Sequence, residues 1–360
     1  MAKRNSVLSM TLAATGLVAF SVLGVWAQVQ TSPQQACLNA VNKNGAAVAK
    51  TQGKENVGCV KAAGKAGPTG AQLCLTADGK GKVAKAKGKT TAAETKSCTQ
   101  APSFGYTSGA AVNTAAQQAE LDLVGDVFGA NLDAALVSCA TDKAKCGCQQ
   151  KVAKGVEALA AVKLATFVGC KKSVLKTGAN SSAALAKCVN DGGTVGSIAA
   201  DSKGKIAKGI GKLNADIVKA CDTPGVTGAF PGDCTALSGG ALGTCLDTQV
   251  ECRVCQAINE MDGLFVNCDQ FDNGALDASC ASGTGPTPTP TPTQTTTPTP
   301  TPTFQPGTII QGFLPRTNGN WSYGGNPGLA GGNTLCNSTF AGTHVCTITE
   351  LLAAETAGEL

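Results

Sequence analysis

Eighteen cysteines, an even number and all from position 37 onward, constrain this chain more than any other feature. Disulfides persist in oxidising compartments and are rare where thiol reductants act, so each cysteine reads first as half of a disulfide. Aromatic residues make up 4% of the chain, and much of its 42% apolar content is alanine, which buries little area per residue. With so thin a core, cross-links must supply much of the order.

The first eight of these cysteines outside the 139–146 region fall into two sets of four with related spacing: 37, 59, 74, 98 and 148, 170, 188, 221. The first gap is 22 in both sets, and residues 78–98 match residues 201–221 at 11 of 21 positions without a gap. The chain therefore holds an internal repeat. In the second copy Ile206, Ile210, Leu213 and Ile217 make one apolar helical stripe, and Val152, Val156 and Leu159 begin another. A helix of 22 residues is about 33 Å long, so cysteines at its two ends cannot bond to each other. Turns at 67–70 and between Cys170 and Cys188 fold each copy into an antiparallel helical hairpin. Nested pairing follows: Cys37 with Cys98, Cys59 with Cys74, Cys148 with Cys221 and Cys170 with Cys188.

Charge is segregated along the chain. Residues 37–98 hold 11 Lys and 3 acids, residues 148–221 hold 12 Lys and 4 acids, and residues 222–281 hold 9 acids against Arg253 alone. Two basic blocks and one acidic block either attract each other or present opposite faces. Between the copies, Leu121, Val124, Phe128, Leu132, Ala135 and Cys139 form a stripe expected to dock the two hairpins together, with Gly125 and Gly129 permitting close packing.

The ends differ in kind from the body. Residues 1–27 have the layout of an export signal, with Lys3 and Arg4, an apolar run from Val7 to Val25, and a small-residue end at Ala27; a single-pass anchor is the rival reading. No later segment can cross a membrane, which places the mature chain outside the cell, in a periplasm or at a cell surface. Residues 283–307 are Thr-Pro repeats, an extended polyproline spacer. Residues 308–360 read as a small α+β module, with a β-hairpin around Asn318-Gly319, a capping box at Thr347 and Glu350, and Cys336 bonded to Cys346. The expected organisation is a mainly α body: signal 1–27, first hairpin 28–98, connecting helical segment 99–147, second hairpin 148–221, Cys-rich acidic subdomain 222–282, linker 283–307 and C-terminal module 308–360. The pairing of Cys139, Cys146, Cys234, Cys245, Cys252, Cys255, Cys268 and Cys280 stays open, since eight cysteines allow 105 arrangements.

Motifs with chemistry are few. Cys252-x-x-Cys255 and Cys146-x-Cys148 have zinc-site or redox spacing, but His344 is the only histidine and lies beyond the linker. Asp269, Asp272, Asn273-Gly274 and Asp277 approach a calcium loop in the wrong register, with Phe271 and Cys280 at ligand positions. Gly88-Lys89-Thr90 imitates the end of a phosphate-binding loop without its first glycine, and Leu314-Pro315-Arg316-Thr317-Asn318 imitates a sorting signal with Asn in place of Gly. Glu251, Glu260 and Asp262 supply carboxylates for glycosidase-type chemistry, though no spacing selects a pair. No catalytic residue, metal site or cofactor is assigned.

What the two copies share is a row of lysines. At 100° per residue Lys205, Lys208, Lys212 and Lys219 fall within about 60° of one another, away from the apolar stripe, and Lys82, Lys85, Lys89 and Lys96 take the equivalent places. Meanwhile Ile210, Leu213 and Ile217 are replaced by Lys87, Thr90 and Glu94, leaving the first copy little to bury.

The segment Asp201-Ser202-Lys203-Gly204-Lys205-Ile206-Ala207-Lys208 resembles a repeat of uncharacterised secreted, Cys/Lys/Ala-rich proteins of environmental bacteria. So do Glu251 to Cys255, Cys268-Asp269 and Ser279-Cys280, and residues 336–352 resemble a separate small extracellular module. The resemblance implies bacterial secretion and brings no catalytic residue with it. The expected function is a non-enzymatic envelope or matrix protein whose lysine helices hold anionic polymers such as lipopolysaccharide, acidic glycan or DNA without sequence specificity. A stapled surface stalk, and one part of an extracellular enzyme or carbohydrate-binding protein continuing past Leu360, are the alternatives.

Overall fold

The computed structural model describes residues 29–222, 226, 228–271 and 280, and four residues of a strand pair near 325. The signal, the Thr-Pro spacer, Cys336, His344 and Cys346, the sorting-signal imitation and the capping box at Thr347 lie outside the described residues. Residues 1–289 and 290–360 form two separate compact units.

The first unit is helical. Among the described residues the helices are α1 (Ser32–Ala66), α2 (Ala71–Ala77), α3 (Lys82–Ser97), α4 (Gly109–Phe128), α5 (Leu132–Ala135), α6 (Lys143–Lys176), α7 (Ser182–Asn190), α8 (Lys205–Ala220) and α9 (Gly239–Asp262). Their starts are written in the sequence. Thr31 and Gln34 form a capping box on α1 with Pro33 in its first turn, and the side chains of Ser108, Asp142 and Ser181 accept the third amide of α4, α6 and α7.

Two points correct the sequence expectation. The long helices run past their second cysteine, α1 to Ala66 and α6 to Lys176, so the expected turn after Cys170 begins only at Thr177. The cysteine that follows each turn sits on a short extra helix, α2 or α7, so each copy has three helices where two were expected. The bonds join Cys37 to Cys98, Cys59 to Cys74, Cys148 to Cys221 and Cys170 to Cys188. They connect the same cysteines as the nested hairpin pairing.

The helices lie in two layers. One runs in the order α3, α1, α6, α8; α4 covers α1 and α3, α9 covers α6 and α8, and α4 packs on α9. Helices α1 and α6 are antiparallel neighbours: Asn42 meets Lys171, Asn56 meets Glu157, and the Gly64 carbonyl accepts from Cys139 just before α6. The two copies therefore dock directly, without the stripe at 121–139 between them. That stripe is broken at Gly129; Leu121 is only half-buried, and its α4 part is spent on α1 and α9. Direct docking needs small residues on α1. A Cβ at Gly64 would come within 2.3 Å of Gln150 Nε2 and 2.7 Å of Cys146 Sγ.

Helices α4 and α9 stand in the same place in the two copies. With Ser108 laid on Ser238, the buried residues Val112, Ala116, Glu120, Val124, Val127 and Phe128 fall on the buried Leu242, Leu246, Val250, Val254, Ala257 and Ile258. The duplication thus reaches beyond the cysteine-bounded hairpins to a fourth helix in each copy.

Helix α3 is not as empty as its sequence suggests. Thr90 is fully buried, Lys87 bonds to Gln117, and Glu94 accepts from Tyr106 Oη at 2.5 Å and from the Gly109 amide at 2.7 Å, tying α3 to the start of α4. Still, Val83 and Thr90 are its only fully buried side chains, against Ile206, Leu213 and Ile217 in α8. Cys98→Ser is expected to cost about 2 to 5 kcal/mol and to open α3 to proteolysis. Limited proteolysis of this variant beside Cys221→Ser measures the asymmetry, and equal resistance of the two would contradict it.

In the second unit, Ser322-Tyr323 pairs antiparallel with Asn326-Pro327. The expected hairpin around Asn318-Gly319 lies outside the described residues.

Candidate functional site: the lysine rows and the interior charges

Each lysine row begins at the same local structure. Asp78 and Asp201 take left-handed backbone conformations, and Gly81 and Gly204, three residues on, share φ 59° and ψ 23°. A Cβ would be strained at that φ, which explains glycine at both positions. The Asp78 carboxylate accepts from the Val83 and Ala84 amides at 3.1 and 2.9 Å, and Asp201 accepts from Lys205, Ile206 and Ala207 at 2.9, 3.0 and 2.9 Å. These bonds to helix amides, Ala84 first, hold the Asp78 carboxyl below its ordinary value. Both helices thereby start in one register, and Lys82 and Lys205 become equivalent.

All eight lysines of the two rows are exposed. Lys82 lies 2.8 Å from Glu55 and Lys212 lies 2.6 Å from Asp216. Such surface pairs contribute little. Among the described residues no carboxylate lies within 4 Å of Lys85, Lys89, Lys96, Lys205, Lys208 or Lys219.

The acidic helix α9 faces inward, and the attraction between basic and acidic blocks is satisfied inside the protein. Lys163, fully buried on α6, pairs with Asp247 at 2.8 Å and with Glu251, and lies over the Phe271 ring. Lys171, also buried, pairs with Asp262 and donates to Asn42 Oδ1 at 2.9 Å and the Gly105 carbonyl at 3.0 Å; Asn42 Nδ2 in turn donates to Asp262 at 2.6 Å. Burial pushes the Lys171 ammonium down and the Asp262 carboxyl up, each opposed by the other's charge. Arg253 grips Asp126 of α4 with two bonds of 2.5 and 2.6 Å. Glu251 and Asp262, carboxylates considered for glycosidase chemistry, are thus held in interior ion pairs, while Glu260 is exposed on its own turn of α9.

The duplication shows where this charge came in. Laying Cys37 on Cys148 and Ser108 on Ser238 puts the hydrogen-bonded pair Gln52 and Gln117, 3.0 Å apart, on the ion pair Lys163 and Asp247. One copy holds its covering helix by amides, the other by charge.

A second polar cluster sits where α1, α4 and α6 meet. Glu120 and Glu157 are both buried, and Asn56 Nδ2 donates to Glu157 Oε1 and to the Glu120 carbonyl, each at 2.9 Å. Their Oε2 atoms converge over Gly53, where a Cβ would sit 2.2 Å from Glu157 and 3.0 Å from Glu120. Burial pushes both carboxyls up from the ordinary value of 4.5, Glu120 most, with the neighbouring carboxylate adding to it. Two buried carboxyls this close disfavour being ionised together. A void about the size of one water lies beside Glu157, lined mainly by Val60, Leu123, Val127, Phe128 and Val156.

The cysteine motifs resolve as structure. Cys252 bonds to Cys280 and Cys255 to Cys268, while Cys146 bonds to Cys139 and Cys234 to Cys245. Every described cysteine is thus in a disulfide, which leaves no thiolate for zinc or redox work in these spacings. Among the described residues no cluster of His, Cys, Asp and Glu is arranged to hold a metal ion, and no helix is long and apolar enough to cross a membrane. Asp272, Asn273-Gly274 and Asp277 lie outside the described residues. Gly88-Lys89-Thr90 is interior to α3, with Thr90 buried, so it forms no phosphate loop. Comparison with known families, curated proteins and solved structures finds no match.

Sequence reasoning placed the lysine rows and missed Lys163, Lys171, Glu120 and Glu157. A signal existed for two of them. Lys163 and Lys171 fall off the exposed stripe of α6, on the side shared with Val156 and Phe167.

Proposed function

We propose that this is a non-enzymatic protein of a bacterial envelope or extracellular matrix that holds anionic polymers on the lysine rows of α3 and α8. Each row is carried by a disulfide-clipped antiparallel hairpin, α1 to α3 and α6 to α8. The polyproline spacer joins this body to the small α+β module at 308–360. The eight disulfides among the described residues fit an oxidising compartment. The observation that carries the reading is a contrast in lysine use: Lys163 and Lys171 are buried and neutralised, while all eight row lysines face solvent and six of them lack a carboxylate partner among the described residues. Lysine presents a hydrated point charge, suited to sequence-independent attraction governed by counterion release.

Substituting Glu at Lys205, Lys208 and Lys219 is expected to lower the salt needed to elute the protein from heparin. Lys219 is preferred to Lys212 because Asp216 already neutralises Lys212. Retention equal to that of the parent at low salt would leave the stalk reading standing.

A further inference from the structure

The lysine rows are the edges of something larger. Helix α1 carries Lys43, Lys50, Lys54, Lys61 and Lys65, all exposed. At 100° per residue these fall within about 60° of one another and directly opposite Gly45, Gln52 and Asn56, the residues that meet α4. On α6, Lys151, Lys154, Lys172 and Lys176 are exposed in the same way, on the side away from Lys163 and α9. The rows on α3 and α8 likewise point away from Glu94 and Ile217, which face the starts of α4 and α9. All four stripes therefore emerge on one side, the open face of the α3, α1, α6, α8 layer.

That face has a definite character. Between the lysines on the α1 and α6 stripes stand Ala47, Gly58, Ala62, Ala158, Ala165 and Gly169, so the surface under the charges is low and flat. No acid lies on either stripe; Glu55 and Asp216 are half-buried beside them. None of the large exposed apolar side chains is on these stripes. At 1.5 Å per residue and 8 to 10 Å between helices the face measures about 50 by 30 Å.

We infer that the whole open face of the four-helix layer is a docking surface for a planar anionic lipid membrane, reached by peripheral, salt-reversible contact. This deepens the polyanion reading and rests on it. A plane of charges meets a plane of headgroup phosphates with all four helices at once, whereas a rod-like duplex touches such a face only along a line. Each lysine near an anionic surface adds attraction that salt screens, and the absence of apolar anchors on the stripes means that no insertion accompanies it. Nucleic-acid recognition draws on arginine forks and stacking aromatics, and the exposed stripes offer neither.

The test uses the full secreted protein and vesicles of phosphatidylcholine with about one-third phosphatidylglycerol. Co-sedimentation is expected at low salt, absent with phosphatidylcholine alone, and reversed by salt. The variant Lys54→Glu, Lys61→Glu, Lys154→Glu leaves the α3 and α8 rows intact and is expected to bind about a hundred-fold more weakly, at roughly a fivefold loss per lysine near the surface. Circular dichroism and disulfide mapping identical to the parent exclude misfolding as the cause. If this variant binds vesicles like the parent, or if the parent binds heparin or duplex DNA and no vesicle, the inference is overturned while the polyanion function stands. Binding to none of the three overturns both.

Discussion

Lys171→Met is expected to destabilise the folded protein by about 3 to 5 kcal/mol, more than any surface substitution. Lys171 is almost fully buried, and among the described residues its ammonium group is the only cation paired with Asp262, which is itself fully buried. Removing the lysine leaves a carboxylate in the interior with Asn42 as its remaining donor, and the carboxyl that burial already pushes up must then take a proton or drag α9 open. Neutralising both partners is different. Lys171→Met with Asp262→Leu exchanges a buried pair for apolar packing and is expected to recover most of the loss. Urea denaturation with disulfides intact measures both variants; a single-variant cost below about 1 kcal/mol would show that the pair is not buried and charged as described.

Stability is expected to fall as pH rises, through Glu120 and Glu157. Both carboxyls are raised above the ordinary 4.5, so the folded state binds a proton there more tightly than the unfolded chain does. Their contribution is fully present below pH 4.5 and is lost as pH climbs through the raised folded value, with a slope of at most about 1.4 kcal/mol per pH unit for one proton. Asp126 acts in the same direction, since burial raises it despite Arg253, while Asp78, Asp133, Asp191 and Asp216 are lowered and act oppositely, on the acid side. The variant Glu120→Gln, Glu157→Gln isolates the pair, because two amides of the same shape leave nothing to titrate over Gly53. Thermal unfolding followed from pH 4 to 9 should converge for parent and variant at the acid end and diverge above it. Parallel curves would show that the pair does not titrate with folding.

What proved legible in the sequence was local. Cysteine spacing plus 1.5 Å of rise per residue excludes a bond between Cys37 and Cys59 at the two ends of one helix, and a hairpin turn then nests Cys37 with Cys98. The lysine rows could be read because 100° per residue fixes a face whatever surrounds it. The Asp-x-x-Gly starts of α3 and α8 repeat because a left-handed glycine and a capping carboxylate act within six residues. Length misled where local signals were weak: α1 and α6 continue past their second cysteines because nothing in Val60 to Ala66 or Lys171 to Lys176 stops a helix.

Only the tertiary structure decided the fate of the charges. Lys163 and Lys208 look alike in the chain, yet one is sealed against Asp247 and Glu251 and the other stands in solvent. The difference lies in α9, whose Asp247 and Glu251 are more than 80 residues from Lys163 in the chain and whose approach sets the local dielectric and supplies the partners. The same holds for Glu120 and Glu157, brought together by the crossing of α1, α4 and α6 over Gly53. Periodicity assigns a residue to a face of its own helix; whether that face is covered, and by which charge, depends on contacts between residues far apart in the chain.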